Sequence, residues 1–165
     1  MAEWLEFRLS ALLLRLTDAE VDFVVIGGIA AIAHGSPQIT QDLDIAYAGE
    51  EANLERLGEA LVALGARLRG VTDDVPFVPD GRTLRHTRVL TLDTPDGPLC
   101  LLAEPDGSGG YARLRANAIE ARVSGVTVRI AGLEDMIAMK KAAGRPKDRV
   151  VVEELEAIRR LRAAE

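Results

Sequence analysis

The sequence predicts an α+β protein with one mixed β-sheet, helices packed against that sheet and a helical C-terminal segment. Three observations support this fold class. Leucines recur at helical spacing near the N-terminus and again after residue 50. Short apolar runs, such as Phe23 to Ile26, lie between these segments and predict buried strands. Two further helical segments follow residue 132.

The first half of the chain is expected to alternate helices and strands. The predicted elements there are helices over 3–17, 30–33 and 50–64 and strands over 23–26, 42–47 and 66–69. The helix after the first strand is expected to start near Ile29 and to end at Gly35. Residues 72–85 are rich in Asp, Pro and Gly and lack periodicity, so no element is predicted there.

The second half is expected to hold most of the remaining strands and the closing helices. The predicted elements there are strands over 87–92 and 99–103, a helix over 111–118, a strand or hairpin over 121–130, and helices over 133–143 and 148–163. Without repeats or long linkers, residues 1–165 are expected to form a single domain. Its core would span about 20–130, and its C-terminal helices about 132–163.

Composition excludes several classes of protein. The chain has 165 residues, of which 48% are hydrophobic and 28% charged, which is ordinary for a globular domain. Its net charge of −6 argues against a general nucleic-acid coat. The longest nearly uncharged run, Phe23 to Ala33, is shorter than the roughly 20 residues that span a bilayer, so no membrane association is expected. Acidic Glu3 and Glu6 argue against a signal peptide, and a single cysteine, Cys100, favours a cytoplasmic location.

Positive charge is concentrated after residue 139. Residues 140–165 carry eight Lys/Arg against five Asp/Glu, whereas residues 1–139 carry twelve against twenty-one. We expect the cluster of Lys140, Lys141, Arg145 and Lys147 to face an anion. The distal arginines, 159, 160 and 162, are expected to lie on a solvated helix face.

Two short motifs point to a site. Gly27 and Gly28 follow a predicted strand and open a helix, whose free N–H groups suit a phosphate. Asp42 and Asp44 stand two apart on the next strand, so their side chains would share one face. Adjacent carboxylates repel each other, and a divalent cation relieves that repulsion. The combination predicts a metal and nucleotide site, the alternatives being a plain tight turn and two solvated carboxylates.

These motifs resemble a known signature. Gly27-Gly28 followed by Asp42-x-Asp44 is similar to the signature of the DNA polymerase β-like nucleotidyltransferase superfamily. The stretch IGGIAAIAHGSPQITQDLDI looks closer to one branch, the abortive-infection toxins of AbiEii type and their small relatives. The later stretch LEDMIAMKKAAGRPKD resembles that branch's second motif region, with Lys140 and Asp148 at its key positions.

The resemblance implies a metal-dependent transfer of a nucleoside monophosphate from a nucleoside triphosphate (NTP) to a hydroxyl. The acceptor would be an RNA or tRNA end, a protein or a small molecule, and a toxin role would imply a cognate antitoxin. Asp42 and Asp44 would hold Mg²⁺ (or Mn²⁺), and Lys140 would act with them in catalysis. The expected nucleotide-binding residues are Gly27, Gly28, Thr40, Lys140, Arg145, Lys147 and Asp148. For Thr40 a loop-capping role, and for Asp148 an N-cap role, are the alternatives.

Two positions depart from the pattern. Superfamily members carry a third carboxylate on a later strand, and here that place is taken by Cys100, whose sulfur suits Mg²⁺ poorly. The branch often has an arginine where Gln38 stands. The flanking leucines predict a buried, inert Cys100 thiol. The alternatives are an enzyme with two carboxylates, an enzyme whose base comes from elsewhere, a degenerate nucleotide-binding or partner subunit, or an interaction domain without a nucleotide.

Overall fold

The computed structural model describes residues 7–71, 77 and 79–165. Its strands are β1 Phe23–Ile26, β2 Leu43–Tyr47, β3 Arg67–Leu68, β4 Val89–Thr94, β5 Gly97–Leu102, β6 Ile119–Val123 and β7 Val126–Ile130. They form one sheet in the order β3-β4-β5-β2-β1-β7-β6. Strand β2 runs antiparallel to β1 and parallel to β5, and β7 runs parallel to β1. The predicted mixed sheet is therefore confirmed.

The helices complete the predicted α+β fold. They are α1 Leu9–Asp18, α2 Gly27–His34, α3 Glu51–Ala63, α4 Gly81–Arg85, α5 Tyr111–Asn117, α6 Leu133–Ala143 and α7 Pro146–Ala163. Helices α6 and α7 pack against each other and against α2, as the predicted C-terminal helical segment. In the described part of the chain, no helix has both the length and the apolar composition that crossing a bilayer requires.

One face of the central strands is buried in the core. Leu43 and Ile45 of β2 and Leu99 and Leu101 of β5 are 0% exposed, and they join one cluster with leucines of α1 and α3. Side chains alternate along a strand, so the residues between them, including Asp44, point to the other face. The pattern that buries the leucines thus also fixes where the acidic side chain of β2 points.

Two helices begin earlier than predicted. Helix α2 begins at Gly27 rather than near Ile29, because Gly27 adopts a φ of +67° that turns the strand into the helix directly. Helix α7 begins at Pro146 rather than Asp148. Proline suits the first helical position, because the N–H that it lacks would have no partner within the helix there.

Other differences between the predicted and the observed elements lie in segments whose hydrophobic periodicity is weak. The short helix α4 forms where no element was predicted; at its start the Asp80 Oδ1 accepts the N–H of Thr83 at 2.8 Å. Of the two alternatives for 121–130, the hairpin is observed, with β6 and β7 paired antiparallel. Residues 3–6 of the first predicted helix, and 72–76 and 78 of the irregular segment, lie outside the described residues.

Candidate metal and nucleotide site

Gly27 lies directly against the carboxylate of Asp44. Strands β1 and β2 pair so that Ile26 faces Asp44, and the chain turns into α2 at the next residue. A Cβ built on Gly27 would overlap Oδ2 of Asp44 and lie 2.9 Å from its Cγ. The two motifs that the sequence suggested are therefore in contact, and the positive φ and the lack of space at residue 27 both favour glycine.

Residues 35–42 form the loop between α2 and β2, which we call the site loop. Thr40 packs this loop against α2. A Cβ on Gly28 would lie 3.0 Å from the Cβ of Thr40, so the loop packs closely on the first turn of α2. The Thr40 hydroxyl also accepts the backbone N–H of Asp42 at 3.3 Å. Thr40 thus has the loop-capping contact given above as an alternative, and its phosphate contact stays a prediction.

The carboxylates of Asp42 and Asp44 repel each other. Asp44 is half-buried on β2. The prediction that Asp42 also lies on this strand is wrong, because β2 begins at Leu43 and Asp42 is exposed immediately before it. Burial raises the pKa of Asp44, and the negative charge of Asp42 raises it further. Hard carboxylate oxygens that repel each other in this way fit a divalent cation such as Mg²⁺. Among the described residues, no group of three or more His, Cys, Asp or Glu side chains could hold a metal ion.

Three cations act on the charge of Asp44. The positive charges of Lys140, Arg145 and Lys147 act to lower the pKa of Asp44, against the larger effect of burial. Lys140 lies in the last turn of α6, Arg145 caps α7, and Lys147 follows in its first turn. Lys141 instead pairs with Glu156 of α7 at 2.9 Å. Of the predicted anion-facing cluster, three members therefore lie near Asp44.

Asp148 connects two of these cations. Its side chain is 1% exposed, and its Oδ2 accepts the N–H and Nε–H of Arg145 at 3.1 and 2.7 Å. Its Oδ1 lies 3.5 Å from Nζ of Lys140. Burial alone would raise the pKa of Asp148, but the Arg145 hydrogen bonds and the Lys140 charge outweigh burial and lower it. The N-cap alternative for Asp148 is wrong, because α7 begins at Pro146 and Arg145 is its N-cap.

Asp148→Asn should destabilise the protein, because Lys140 and Arg145 both lose the carboxylate with which they pair. Breaking a buried ion pair costs about 3–5 kcal/mol, and because Arg145 is largely exposed we expect a loss of about 2 kcal/mol. The lowered pKa means that Asp148 stabilises the fold above the ordinary carboxyl range and loses this effect as pH falls through its folded pKa. Urea unfolding at several pH values should show the variant's deficit shrinking in acid. Glu153→Gln, an exposed carboxylate on the same helix, is the control.

Cys100 lies beside Asp44 on the open face of the sheet. The strand register pairs Asp44 with Cys100 and Cys100 with Thr91. The prediction of a buried Cys100 is wrong: the residue is only half-buried, because its neighbours Leu99 and Leu101 point to the other face. Burial and the charge of Asp44 raise the pKa of the Cys100 thiol, against the opposing effects of Thr91 and Arg69. The position next to Asp44 is therefore occupied by a neutral thiol.

The sequence did not single out Glu154, although it contacts the site loop. The side chain of Gln38, where the related branch often has arginine, donates to Oε1 of Glu154 at 2.5 Å. Glu154 lies 116 positions from Gln38 along the chain, so no local pattern connects them. The only local signal is the amphipathic spacing of α7.

Comparison with solved structures gives the fold. The lincosamide antibiotic adenylyltransferase LnuA in its lincomycin-bound structure aligns with a TM-score of 0.63 and 16% identity, covering 92% of this chain and 96% of that chain. The chain has a nucleotidyltransferase fold. ANT(2'')-Ia in complex with adenylyl-2''-tobramycin aligns at 0.56 and 18%, covering 94% and 93%. An antigenic nucleotidyltransferase-like protein from Paracoccidioides brasiliensis aligns at 0.58 and 17%, covering 97% and 77%.

Sequence comparisons add no relative to these structural neighbours. No protein-family model matches the chain, and no curated protein matches it by sequence. At identities of 16–18%, the likeness shows the fold alone. The AbiEii-type branch therefore stays a prediction.

Proposed function

We propose that this chain binds a nucleoside triphosphate with a divalent metal ion and transfers its nucleoside monophosphate to an acceptor hydroxyl. The single observation that carries the proposal is the contact between Gly27 and the carboxylate of Asp44. This contact joins the helix start that suits a phosphate to the carboxylate that suits a metal. Structural neighbours with nucleotidyltransferase functions support the proposal at the level of the fold.

Each site residue has a role in this proposal. Asp42 and Asp44 hold Mg²⁺ or Mn²⁺, which offsets the charge of the phosphates and orients them. The backbone N–H groups at Gly27 and Gly28, with the side chain of Thr40, approach the triphosphate. Lys140, Arg145 and Lys147, whose charges act on Asp44, neutralise phosphate oxygens. Asp148 acts on the nucleotide indirectly, by positioning Lys140 and Arg145.

In the reaction, the acceptor oxygen forms a bond to the α-phosphorus while the bond from that phosphorus to the pyrophosphate oxygen breaks. Pyrophosphate leaves, and the acceptor hydroxyl gives up its proton to solvent water. The resemblance to AbiEii-type toxins favours a tRNA or other RNA end, or a protein, as acceptor, together with a cognate antitoxin. The fold likeness to ANT(2'')-Ia and LnuA favours a small hydroxyl compound instead.

Label transfer from α-labelled nucleoside triphosphates tests the proposal. The protein is incubated with each triphosphate, Mg²⁺ or Mn²⁺, and either total RNA or a panel of small hydroxyl compounds. We expect label to appear on one acceptor class with the wild type and to be lost in the Asp42→Asn, Asp44→Asn double variant. Label transfer that persists in the double variant would show that the site assignment is wrong.

Cys100 favours a second candidate, a nucleotide-binding or partner subunit that has lost catalysis. The thiol stands next to Asp44, where the superfamily pattern has its third carboxylate. A neutral thiol contributes little to Mg²⁺ binding and accepts a proton poorly. In this candidate, Gly27, Asp42 and Asp44 bind the metal and nucleotide, and no transfer follows.

Cys100→Asp separates the two candidates. The new carboxylate would lie beside Asp44 on the same face, so Mn²⁺ affinity should rise by about tenfold. If the natural chain is a degenerate enzyme, label transfer should be absent from the wild type and appear in the variant; if it is an active enzyme, the wild-type transfer should increase. Thr91→Asp, one strand further from Asp44 in the same row, is the control for added charge. Unchanged Mn²⁺ affinity in a folded Cys100→Asp protein would contradict the assignment of Cys100 to the third position.

A further inference from the structure

Two polar contacts attach the site loop and the end of α2 to one face of α7, and an apolar side chain of α7 lies near the turn between them. The α7 residues are Glu154, Ile158 and Arg162, which are spaced four apart and therefore share that face. They lie along the stretch from His34 to Gln38, which leads directly to Thr40 and Asp42. Helix α7 thus runs alongside the segment that carries a proposed metal ligand.

The first contact fixes the end of α2. His34 is 4% exposed, and its Nε2 donates to the carbonyl oxygen of Ala131 at 2.7 Å, since a carbonyl can only accept. Its Nδ1 is then free to accept from Nη1 of Arg162 at 3.2 Å, while Nη2 of Arg162 donates to the His34 carbonyl at 3.2 Å. Burial and the charge of Arg162 lower the pKa of His34, against the effect of the Ala131 bond. The ring is therefore a neutral anchor.

Ile158 lies near the turn after α2. Gly35 adopts a φ of +116°, and a Cβ there would lie 3.5 Å from Cδ1 of Ile158. A side chain at this position would therefore just reach α7, whereas glycine leaves a little space beside Ile158. The positive φ directs the chain away from the helix axis and into the site loop.

The second contact joins Glu154 to the site loop. One carboxylate, Glu154, accepts from two loop side chains: the Ser36 hydroxyl donates to its Oε2 at 2.8 Å, and Nε2 of Gln38 donates to its Oε1 at 2.5 Å. The hydroxyl of Ser36 also accepts the N–H of Gln38 at 3.3 Å, which closes a small network. Hydrogen bonds to a charged carboxylate are stronger than those between neutral groups.

We propose that Glu154 is a positioning residue, which holds the site loop on α7 so that Asp42 stands next to Asp44. The proposal rests on the proposed function, since it takes Asp42 to be a metal ligand. Between Gln38 and the start of β2 at Leu43 the loop has no regular secondary structure. Its position is set at one end by Glu154 and further along by Thr40 against Gly28. The same helix carries Arg145 and Asp148 at its start, so α7 aligns both the cationic and the acidic sides of the site.

Glu154→Ala should loosen the loop and weaken metal binding. Two measurements on the full chain test this: hydrogen exchange of peptides covering 36–42, and binding of Mn²⁺ alone, followed by the paramagnetic resonance of free Mn²⁺. We expect faster exchange in that segment and a fall in Mn²⁺ affinity of about tenfold, the lower end of the effects of residues that orient metal ligands. In an Asp42→Asn background the substitution should leave Mn²⁺ affinity unchanged, because it acts through Asp42.

Two milder substitutions and a control complete the test. In Glu154→Gln the remaining side-chain oxygen can still accept from the Ser36 hydroxyl. The new amide nitrogen cannot accept from Nε2 of Gln38, so the effects of this variant should be intermediate. Gln38→Ala removes one bond at an exposed position, and should act in the same direction if Glu154→Ala does not fold. Glu153→Ala, an exposed neighbour on α7, should match the wild type in both measurements.

The outcomes separate this inference from the proposed function. Wild-type Mn²⁺ binding that is unaffected by Glu154→Ala overturns the positioning role and leaves the proposed function standing. Faster exchange with unchanged Mn²⁺ affinity also overturns it, since the loop would then be anchored without orienting Asp42. A wild type that binds no Mn²⁺ overturns both.

Discussion

Asp44→Asn should abolish metal-dependent nucleotide transfer and at the same time stabilise the metal-free protein. Asparagine keeps the shape of aspartate but lacks its charge, so it is a weak Mg²⁺ ligand. Metal ions contribute several kcal/mol to transition-state stabilisation, so we expect transfer to fall by at least about 100-fold. Rates of label transfer at saturating nucleotide and metal measure this loss.

The gain in stability follows from the raised pKa of Asp44. Burial and the charge of Asp42 disfavour the ionised carboxylate in the folded protein. The Asp44 carboxyl group therefore binds its proton more tightly in the folded state than in the unfolded state. As pH rises from the ordinary carboxyl range through the folded pKa of Asp44, the free energy of unfolding should fall. Asparagine has no such dependence. Thermal unfolding at neutral pH without metal should therefore give a higher Tm for Asp44→Asn than for the wild type.

Two results would contradict this account of Asp44. The first is a loss of stability in the Asn variant, which would mean that the ionised carboxylate is already well paired by Lys140, Arg145 and Lys147. The second is an equal rise in Tm on adding Mn²⁺ to the wild type and to the variant. Asp93→Asn, a half-buried aspartate on β4 that pairs with Arg69 at 3.0 Å, is a matched control for loss of a strand carboxylate.

Gly27→Ala should disrupt both the site and the fold. The added methyl group overlaps the carboxylate of Asp44, and the φ of +67° is unfavourable for alanine. A left-handed backbone costs a non-glycine residue about 1–2 kcal/mol, and overpacking about 1–3 kcal/mol, so we expect a loss of about 2–5 kcal/mol. Displacement of Asp44 should also reduce Mn²⁺ affinity, whereas the backbone strain by itself should not.

Gly125→Ala provides the matched control. Gly125 has a similar φ of +82°, but a Cβ there meets nothing within 4 Å. Its substitution should cost only the backbone term, about 1–2 kcal/mol, with normal metal binding. Urea unfolding of both variants isolates the overlap with Asp44 as the difference between them. Equal losses of stability, or equal Mn²⁺ affinities, would show that Gly27 does not hold the space for this carboxylate.

Sequence patterns sufficed for the parts of the fold that depend on local periodicity. The alternation Asp42-Leu43-Asp44-Ile45 placed the leucine and isoleucine in the core and Asp44 on the other face, as observed. Burial of apolar side chains decides this arrangement, and the alternation of apolar and polar residues along a strand is visible in the sequence. The strands and most helices followed for the same reason, within a few residues at their ends.

Contacts between distant segments could not be read from the sequence. Glu154 contacts Ser36 across 118 positions, and no local pattern showed that Asp148 pairs with both Lys140 and Arg145. The position of Cys100 next to Asp44 came from a family pattern, whereas its half exposure required knowledge of which face of β5 is covered. Such features depend on how elements pack, and periodicity within one element does not encode that packing.

Calorimetric titration with a non-hydrolysable nucleoside triphosphate tests the central claim most directly, namely that Gly27, Asp42 and Asp44 form one metal and nucleotide site. The wild type is titrated with the triphosphate in Mg²⁺ and again in a chelator, alongside the Asp42→Asn, Asp44→Asn double variant. We predict binding only for the wild type in Mg²⁺. Equal binding in the chelator or by the double variant, or no binding by the folded wild type with any triphosphate, would contradict it.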